Sequence, residues 1–194
     1  HYVSISSAKT VFKALISRTN KKRYKVKAFY INKYGAWFDE NKSLEILNSN
    51  SRNDTTYKNQ VLPKGETNFL NNIEFQSIDV WFPLLHGLNG EDGAIHGLLK
   101  FTKQPLVGCG ILGSALGMDK ISMKKIFSSL EIPQVNYLTI ENKDLNDDKI
   151  KYHLSEIIIE KLNFPIFVKP SNSGSSLGIS KVKDKSQIIQ ALDK

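Results

Sequence analysis

Phe167-Val168-Lys169-Pro170-Ser171-Asn172-Ser173-Gly174-Ser175-Ser176-Leu177-Gly178-Ile179-Ser180 is the stretch on which the reading of this chain turns. Its apolar start, small-residue middle and alternating continuation (Ile179, Ser180, Lys181, Val182) predict a strand, a loop and a second strand. Small residues let the backbone approach an anion closely, and successive N–H groups in such a loop form an anion-binding concavity. Lys169 places a point charge at the loop's entrance. A Walker A loop has the spacing GxxxxGK[ST] and leads into a helix, whereas this loop leads into a strand. Two readings stand at this point. One is a flap that closes over nucleotide phosphates; the other is an ordinary hairpin with a polar, glycine-containing turn.

Upstream, Ile78-Asp79-Val80-Trp81-Phe82-Pro83-Leu84-Leu85 is largely an apolar run. It suits a buried strand of a parallel sheet, although Pro83 argues against an uninterrupted central ladder. His86-Gly87-Leu88-Asn89-Gly90-Glu91-Asp92-Gly93 follows, and then Ala94, Ile95, Leu98 and Leu99 at near-helical spacing. Glu91 and Asp92 fall in or just before that helix's first turn, where the macrodipole favours negative charge. His86 therefore stands at the carboxyl end of a strand, beside a glycine-rich turn and a helix start. In open α/β sheets ligands bind in that crevice. A histidine with a purely structural role is the competing reading.

Bulk properties narrow the classes. At 194 residues the chain forms one large domain or two small ones. Hydrophobic content of 40% and a mean hydropathy of −0.30 are globular values. No apolar stretch approaches the length that crosses a bilayer, and no secretory signal pattern opens the sequence. Cys109 is the one cysteine, which excludes an intramolecular disulfide framework and leaves a structural zinc site unsupported. The cytoplasm is the expected compartment. The formal net charge of +8 is spread along the chain rather than gathered into a stripe. Solvated surface accounts for it better than nucleic-acid binding does, and an anionic nucleotide gains from the field.

The pattern along the chain predicts an α/β fold. Ser4 reads as a helix cap ahead of Ala8, Val11, Phe12 and Leu15, and Lys25 to Ile31 as a strand. Residues 41–72, rich in Asn, Ser, Lys and Thr, read as a surface insertion carrying short elements. A strand at 78–85, a helix near 93–103 and a strand at 105–108 make a βαβ unit, hence an N-terminal parallel-sheet domain over 1–108. The second domain, 109–194, holds a helical stretch from Ser114 to Leu130 interrupted around Gly117. It continues with a strand at 135–140, a charged connection at 141–151, a helix near 153–162 and the strand–loop–strand. Ser186 is expected to cap a last helix.

Three motifs, taken in order, resemble the D-alanine–D-alanine ligases, ATP-grasp enzymes that make the dipeptide for peptidoglycan. They are His86-Gly87-x-x-Gly90-Glu91-Asp92-Gly93, Ser114-Ala115-x-x-Met118-Asp119-Lys120, and Phe167-Val168-Lys169-Pro170 with Gly174-Ser175-Ser176-x-Gly178-x-Ser180-Lys181-Val182. The resemblance extends to His1-Tyr2-Val3-Ser4-Ile5-Ser6-Ser7-Ala8, similar to the family's substrate-binding segment after its first glycine-rich turn. It implies a pre-ATP-grasp, Rossmann-like N-terminal domain followed by the first part of an ATP-grasp α+β domain. It implies ATP and Mg2+ as cofactors, D-alanine as substrate and a homodimer formed through the N-terminal domain. No nucleic-acid or membrane partner is expected.

The resemblance also assigns roles. Lys120 and Lys169 match the family's ATP-phosphate lysines, and Gly174, Ser175 and Ser176 match the loop that closes on the outer phosphates and an acyl phosphate. His86 matches the histidine near the first D-alanine's carboxylate, and Val3 an apolar contact to that substrate. Ser175 matches a serine joining the loop to the acceptor site. Glu91 has two readings, orienting groups in the crevice or buttressing the helix start; Lys120 as a surface lysine, Lys169 as a strand-end charge and the serines as plain turn residues stay open as well. His96 stands where a glutamine is common, and Lys100 where an acidic residue or arginine often occurs. The family's magnesium carboxylates, adenine-contacting strand, arginine and first-substrate glutamate are not matched within the 194 residues. The isolated chain is therefore expected to be inactive. D-lactate or D-serine in place of the acceptor D-alanine, another carboxylate–amine ligase, and a non-catalytic nucleotide-binding module are the alternatives.

Overall fold

The computed structural model describes residues 2–49 and 75–193. The chain divides into two compact units: His1–His86 with Ile95–Gly108, and Gly87–Ala94 with Cys109–Lys194.

In the first unit, α1 (Tyr2–Leu15) precedes a two-stranded antiparallel ribbon of β1 (Tyr30–Ile31) and β2 (Trp37–Phe38). The turn between the strands is drawn in by Asn32, whose Oδ1 accepts from the N–H groups of Tyr34 and Ala36 at 2.9 Å each. Helix α2 (Glu40–Asn48) starts at Asp39, whose side chain accepts from Lys42 N, and so satisfies one orphan donor of the first turn. Ser43, fully buried, locks α2 to the ribbon. Its Oγ accepts from Tyr30 N at 2.8 Å and donates to Phe38 O at 3.1 Å.

The expected βαβ unit is present in reduced form. Trp81 and Leu106 make an isolated parallel bridge, with Trp81 N donating to Pro105 O at 2.9 Å and Val107 N to Trp81 O at 2.8 Å. Between them lies α3 (Ala94–Lys100). Trp37, Ile78, Trp81, Ile95 and Leu99 form the core that this unit closes over. Of the apolar run at 78–85 only Ile78 and Trp81 are buried, while Val80, Phe82 and Val107 are exposed, and the ladders expected over 25–29, 78–85 and 105–108 do not form. Pro83 and Pro105 lack the N–H that a ladder needs. Residues 50–72 of the segment read as a surface insertion lie outside the described residues; its start is α2.

In the second unit, α4 (Gly110–Met118) and α5 (Lys120–Ser129) meet at Asp119. The break falls there rather than at Gly117. Asp119 ends one helix by donating its N–H to Ala115 O and starts the next by accepting from Ser122 N at 2.6 Å. Helix α6 (Asp148–Lys161) begins five residues earlier than its apolar periodicity indicates, because the carboxylate of its cap, Asp147, accepts from Lys149 N and Ile150 N. β3 (Ile166–Val168) and β4 (Ser180–Val182) pair antiparallel, Phe167 opposite Lys181. Alternation sends Ile166 and Val182 into a core with Ile158, Ile188, Ala191 and Leu192. Residues 135–140, expected as a strand, have none of that regular pairing, although Leu138 and Ile140 pack on the same core.

Two caps differ from expectation. Ser4 lies inside α1 and is buried. The final turn is capped by Asp184, which accepts from Ser186 N at 3.0 Å ahead of α7 (Ile188–Leu192). A carboxylate outcompetes a neighbouring hydroxyl for an N–H because charge-assisted bonds are stronger. No helix among the described residues is long and apolar enough to cross a membrane.

Candidate active site

Helix α1 places Ser4 and Ser7 three residues apart, hence on one face. Ser4 Oγ accepts from the backbone N–H of His86 at 3.0 Å, and Ser7 Oγ lies 3.0 Å from His86 Nε2. Both ends of the histidine are thus fixed by the helix, and the exposed imidazole is oriented rather than left to swing. Val3, on the same helix, is 59% exposed. The i, i+3 serine pair is the signal that sequence reading missed, having taken Ser4 for a cap.

The turn after His86 is closed from its acidic end. Glu91 Oε2 accepts from Gly87 N at 2.7 Å, and Asp92 accepts from Asn89 N at 2.8 Å and from Ala94 N at 3.0 Å. Burial pushes the Asp92 carboxyl up, but the N–H donations from Ala94 and Asn89 outweigh it and hold the group below its ordinary value. Gly87 at φ +84° and Gly93 at φ +93° occupy backbone that other residues avoid. Glu91 therefore helps to hold the turn's shape.

In the second unit the strand–loop–strand is an antiparallel hairpin with a defined tip. Leu177 N donates to Gly174 O at 3.0 Å, and both residues between them have positive φ, Ser175 at 51° and Ser176 at 61°. Such a turn matches the twist of an antiparallel hairpin and normally takes Asn-Gly. Serines there store strain, a property that clusters at ligand-clamping loops. The N–H groups of Gly174, Ser175 and Ser176 find no acceptor among the described residues, so they are available to an anion.

Lys120 is brought to this hairpin from a position far away in sequence. Its Nζ donates to Ser173 O at 2.5 Å and to Ser171 O at 3.3 Å, while its backbone N–H donates to Ser171 O at 3.0 Å. Lys169 stands on the exposed face of the hairpin with its Nζ 5.8 Å from the Phe167 ring centroid. Lys181, across the ladder, lies at the same distance from that ring. Neither ammonium has a hydrogen bond or ion pair among the described residues. An exposed aromatic ring between two uncommitted cations suits a ligand with a flat ring and a polyanion. No group of three or more His, Cys, Asp or Glu side chains is gathered among the described residues to hold a metal ion, so no fit for magnesium is found there.

Comparison with known proteins places the chain in a family. Residues 1–109 match the family model described as D-ala D-ala ligase N-terminus, and residues 126–194 match D-ala D-ala ligase C-terminus. The chain is 72% identical over 194 residues to the D-alanine--D-alanine ligase of Prochlorococcus marinus subsp. pastoris (strain CCMP1986 / NIES-2087 / MED4), covering 100% of this chain and 55% of that protein. It therefore spans about half the length of the curated relatives it matches. Among solved structures, the D-alanine-D-alanine ligase from Coxiella burnetii superposes with a TM-score of 0.75 at 25% identity, over 100% of this chain and 56% of that one. The VanG D-Ala:D-Ser ligase from Enterococcus faecalis gives a TM-score of 0.69 at 27% identity, over 98% and 54%. With family models matched in order along most of its length, the chain belongs to the D-alanine–D-alanine ligase family.

Proposed function

We propose that, in a protein of its relatives' length, this chain carries the first amino-acid site and the front of the nucleotide site of an ATP-dependent ligase that joins two D-alanines. The supporting observation is the flap: a strained Gly-Ser-Ser tip with unpartnered N–H groups, anchored by Lys120 and flanked by Lys169. That is what a triphosphate needs around it. In the reaction, a carboxylate oxygen of one D-alanine attacks the γ-phosphorus of ATP, the bond to ADP breaks, and an acyl phosphate results. The amine of a second D-alanine then attacks the acyl carbon. The tetrahedral adduct expels inorganic phosphate, and the amine's proton is lost to solvent or base.

Charge accumulates on phosphoryl and acyl oxygens in both steps, so fixed cations and N–H donors supply the stabilisation. Lys120 and Lys169 are assigned to the phosphates. Gly174, Ser175 and Ser176 are assigned to covering the acyl phosphate, which hydrolyses if water reaches it. His86, oriented by Ser7, is assigned to hydrogen bonding at the first D-alanine's carboxylate, with Val3 against its methyl group. Ser175 links flap and acceptor, and Glu91 acts through the turn it closes. The first unit then corresponds to a pre-ATP-grasp, Rossmann-like domain and the second to the front of an ATP-grasp domain. Magnesium, a cytoplasmic location, a role in peptidoglycan precursor synthesis and homodimerisation through 1–108 belong to the same proposal.

The test uses the full-length protein with ATP, magnesium and either D-alanine or L-alanine, following phosphate release and the dipeptide. D-alanine-dependent release that Lys169→Ala reduces by at least about a hundredfold, the size of losing one charge from a phosphoryl-transfer site, is expected. Equal release with L-alanine alone would overturn the substrate assignment. The likeness to a D-Ala:D-Ser ligase gives a second reading in which only the acceptor changes. Adding D-serine to the same assay and identifying the product separates the two.

A further inference from the structure

Lys120 is committed to the polypeptide before any ligand is considered. Its ammonium donates to the carbonyls of Ser171 and Ser173, and its backbone N–H donates to Ser171 as well. An ammonium has three hydrogens, and two of them are spent on the loop. Lys169 differs: it lies against Phe167 and holds no carbonyl or carboxylate among the described residues. The two lysines matched to the same phosphates are therefore doing different things in the ligand-free chain.

We propose that Lys120 is a positioning residue that sets the conformation of loop 171–176 from the start of α5, and hands that conformation to the phosphate through its third N–H. The second half of this statement rests on the nucleotide reading above; the first half stands without it. The loop needs such an anchor. Ser175 and Ser176 hold left-handed backbone, which persists only where surroundings over-determine it. At the loop's other end, Gly178 lies so close to Pro170 that a Cβ there would meet Pro170 Cγ at 2.6 Å. That contact fixes the two stems of the loop, and Lys120 fixes the side leading to the tip. A phosphate arriving at the tip draws on the remaining N–H without releasing either carbonyl. Cation, loop and anion then form one connected unit.

The test is proteolysis within residues 171–176 of the full-length protein without nucleotide, using a broad-specificity protease, with amide exchange in β3 and β4 as the control for folding. Lys120→Met, which removes both hydrogen bonds from the ammonium, is expected to speed cleavage at least about tenfold, the low end for losing hydrogen bonds to a charged group, while β3 and β4 keep their protection. Lys169→Met is expected to leave cleavage unchanged. Should Lys120→Met lose the β3–β4 protection, Lys120→Gln, which keeps a shorter donor, replaces it and is expected to fall between the two. Unchanged cleavage in a folded Lys120 variant overturns the proposal. A parallel arm with ATP reads the nucleotide assignment separately. Accelerated cleavage in the Lys120 variant with no ATP protection of the wild type would uphold the anchor and sink the nucleotide reading.

Discussion

Gly178 shows how one atom constrains the flap. Its φ of +69° is unfavourable for any side chain, and an added Cβ would meet the Pro170 ring, which cannot swing aside. Gly174, four residues earlier, has open space where its Cβ would go. Gly178→Ala is therefore expected to destabilise the second unit by about 1–3 kcal/mol, the range for overpacking. Gly174→Ala should stay within about 0.5 kcal/mol, as substitutions away from such contacts do. Denaturant unfolding followed by a probe in the second unit checks both. The glycines were conspicuous in the sequence, but nothing in their spacing said which one touches a proline. Likewise His86 stood out in the sequence, yet the two serines that orient it were legible only as part of a helix.

At the junction of α4 and α5, a single carboxylate serves two helices. Asp119 is held below its ordinary 3.8 by the backbone N–H of Ser122 first, then by that serine's hydroxyl and the charges of Lys125 and Lys120. A carboxyl with a depressed folded-state value binds its proton more readily when unfolded. Its contribution is therefore fully present above the unfolded value and is lost as pH falls through the lower, folded value. Asp119→Ala is expected to lower the thermal midpoint at neutral pH and to flatten its fall below about pH 4. Asp119→Asn keeps an acceptor for Ser122 N and should recover most of the midpoint while staying equally flat in acid. Because α5 carries Lys120 at its first position, loosening this cap should also disturb the flap. The helical stretch was legible from its periodicity; the place of its break was not, since Gly117 is the weaker helix former and Asp119 the stronger cap.

Across the chain, the excess of eight positive charges favours any polyanionic ligand. Raising salt shortens the screening length from about 10 Å at 0.1 M to about 3 Å at 1 M. ATP binding by the full-length protein is accordingly expected to weaken several-fold over that range in titration calorimetry, while binding of uncharged adenosine stays level; equal salt dependence for both would rule out a field effect. Local alternation and composition sufficed to mark the strand–loop–strand at 166–182, the acidic turn after His86 and the family's motifs in order. Those signals are written in the identities of residues close together in the chain. What they lacked was neighbours. Period-two alternation tells which face of a segment is buried but not whether a second backbone lies alongside. That is why 25–29 and 135–140 read as strands and form no ladder, while Trp81 and Leu106 meet in a lone bridge. The bond from Lys120 to Ser173 spans 53 positions, and that from Ser4 to His86 spans 82. Partners so distant in sequence are chosen by packing, and packing alone turned two expected phosphate lysines into one anchor and one uncommitted charge.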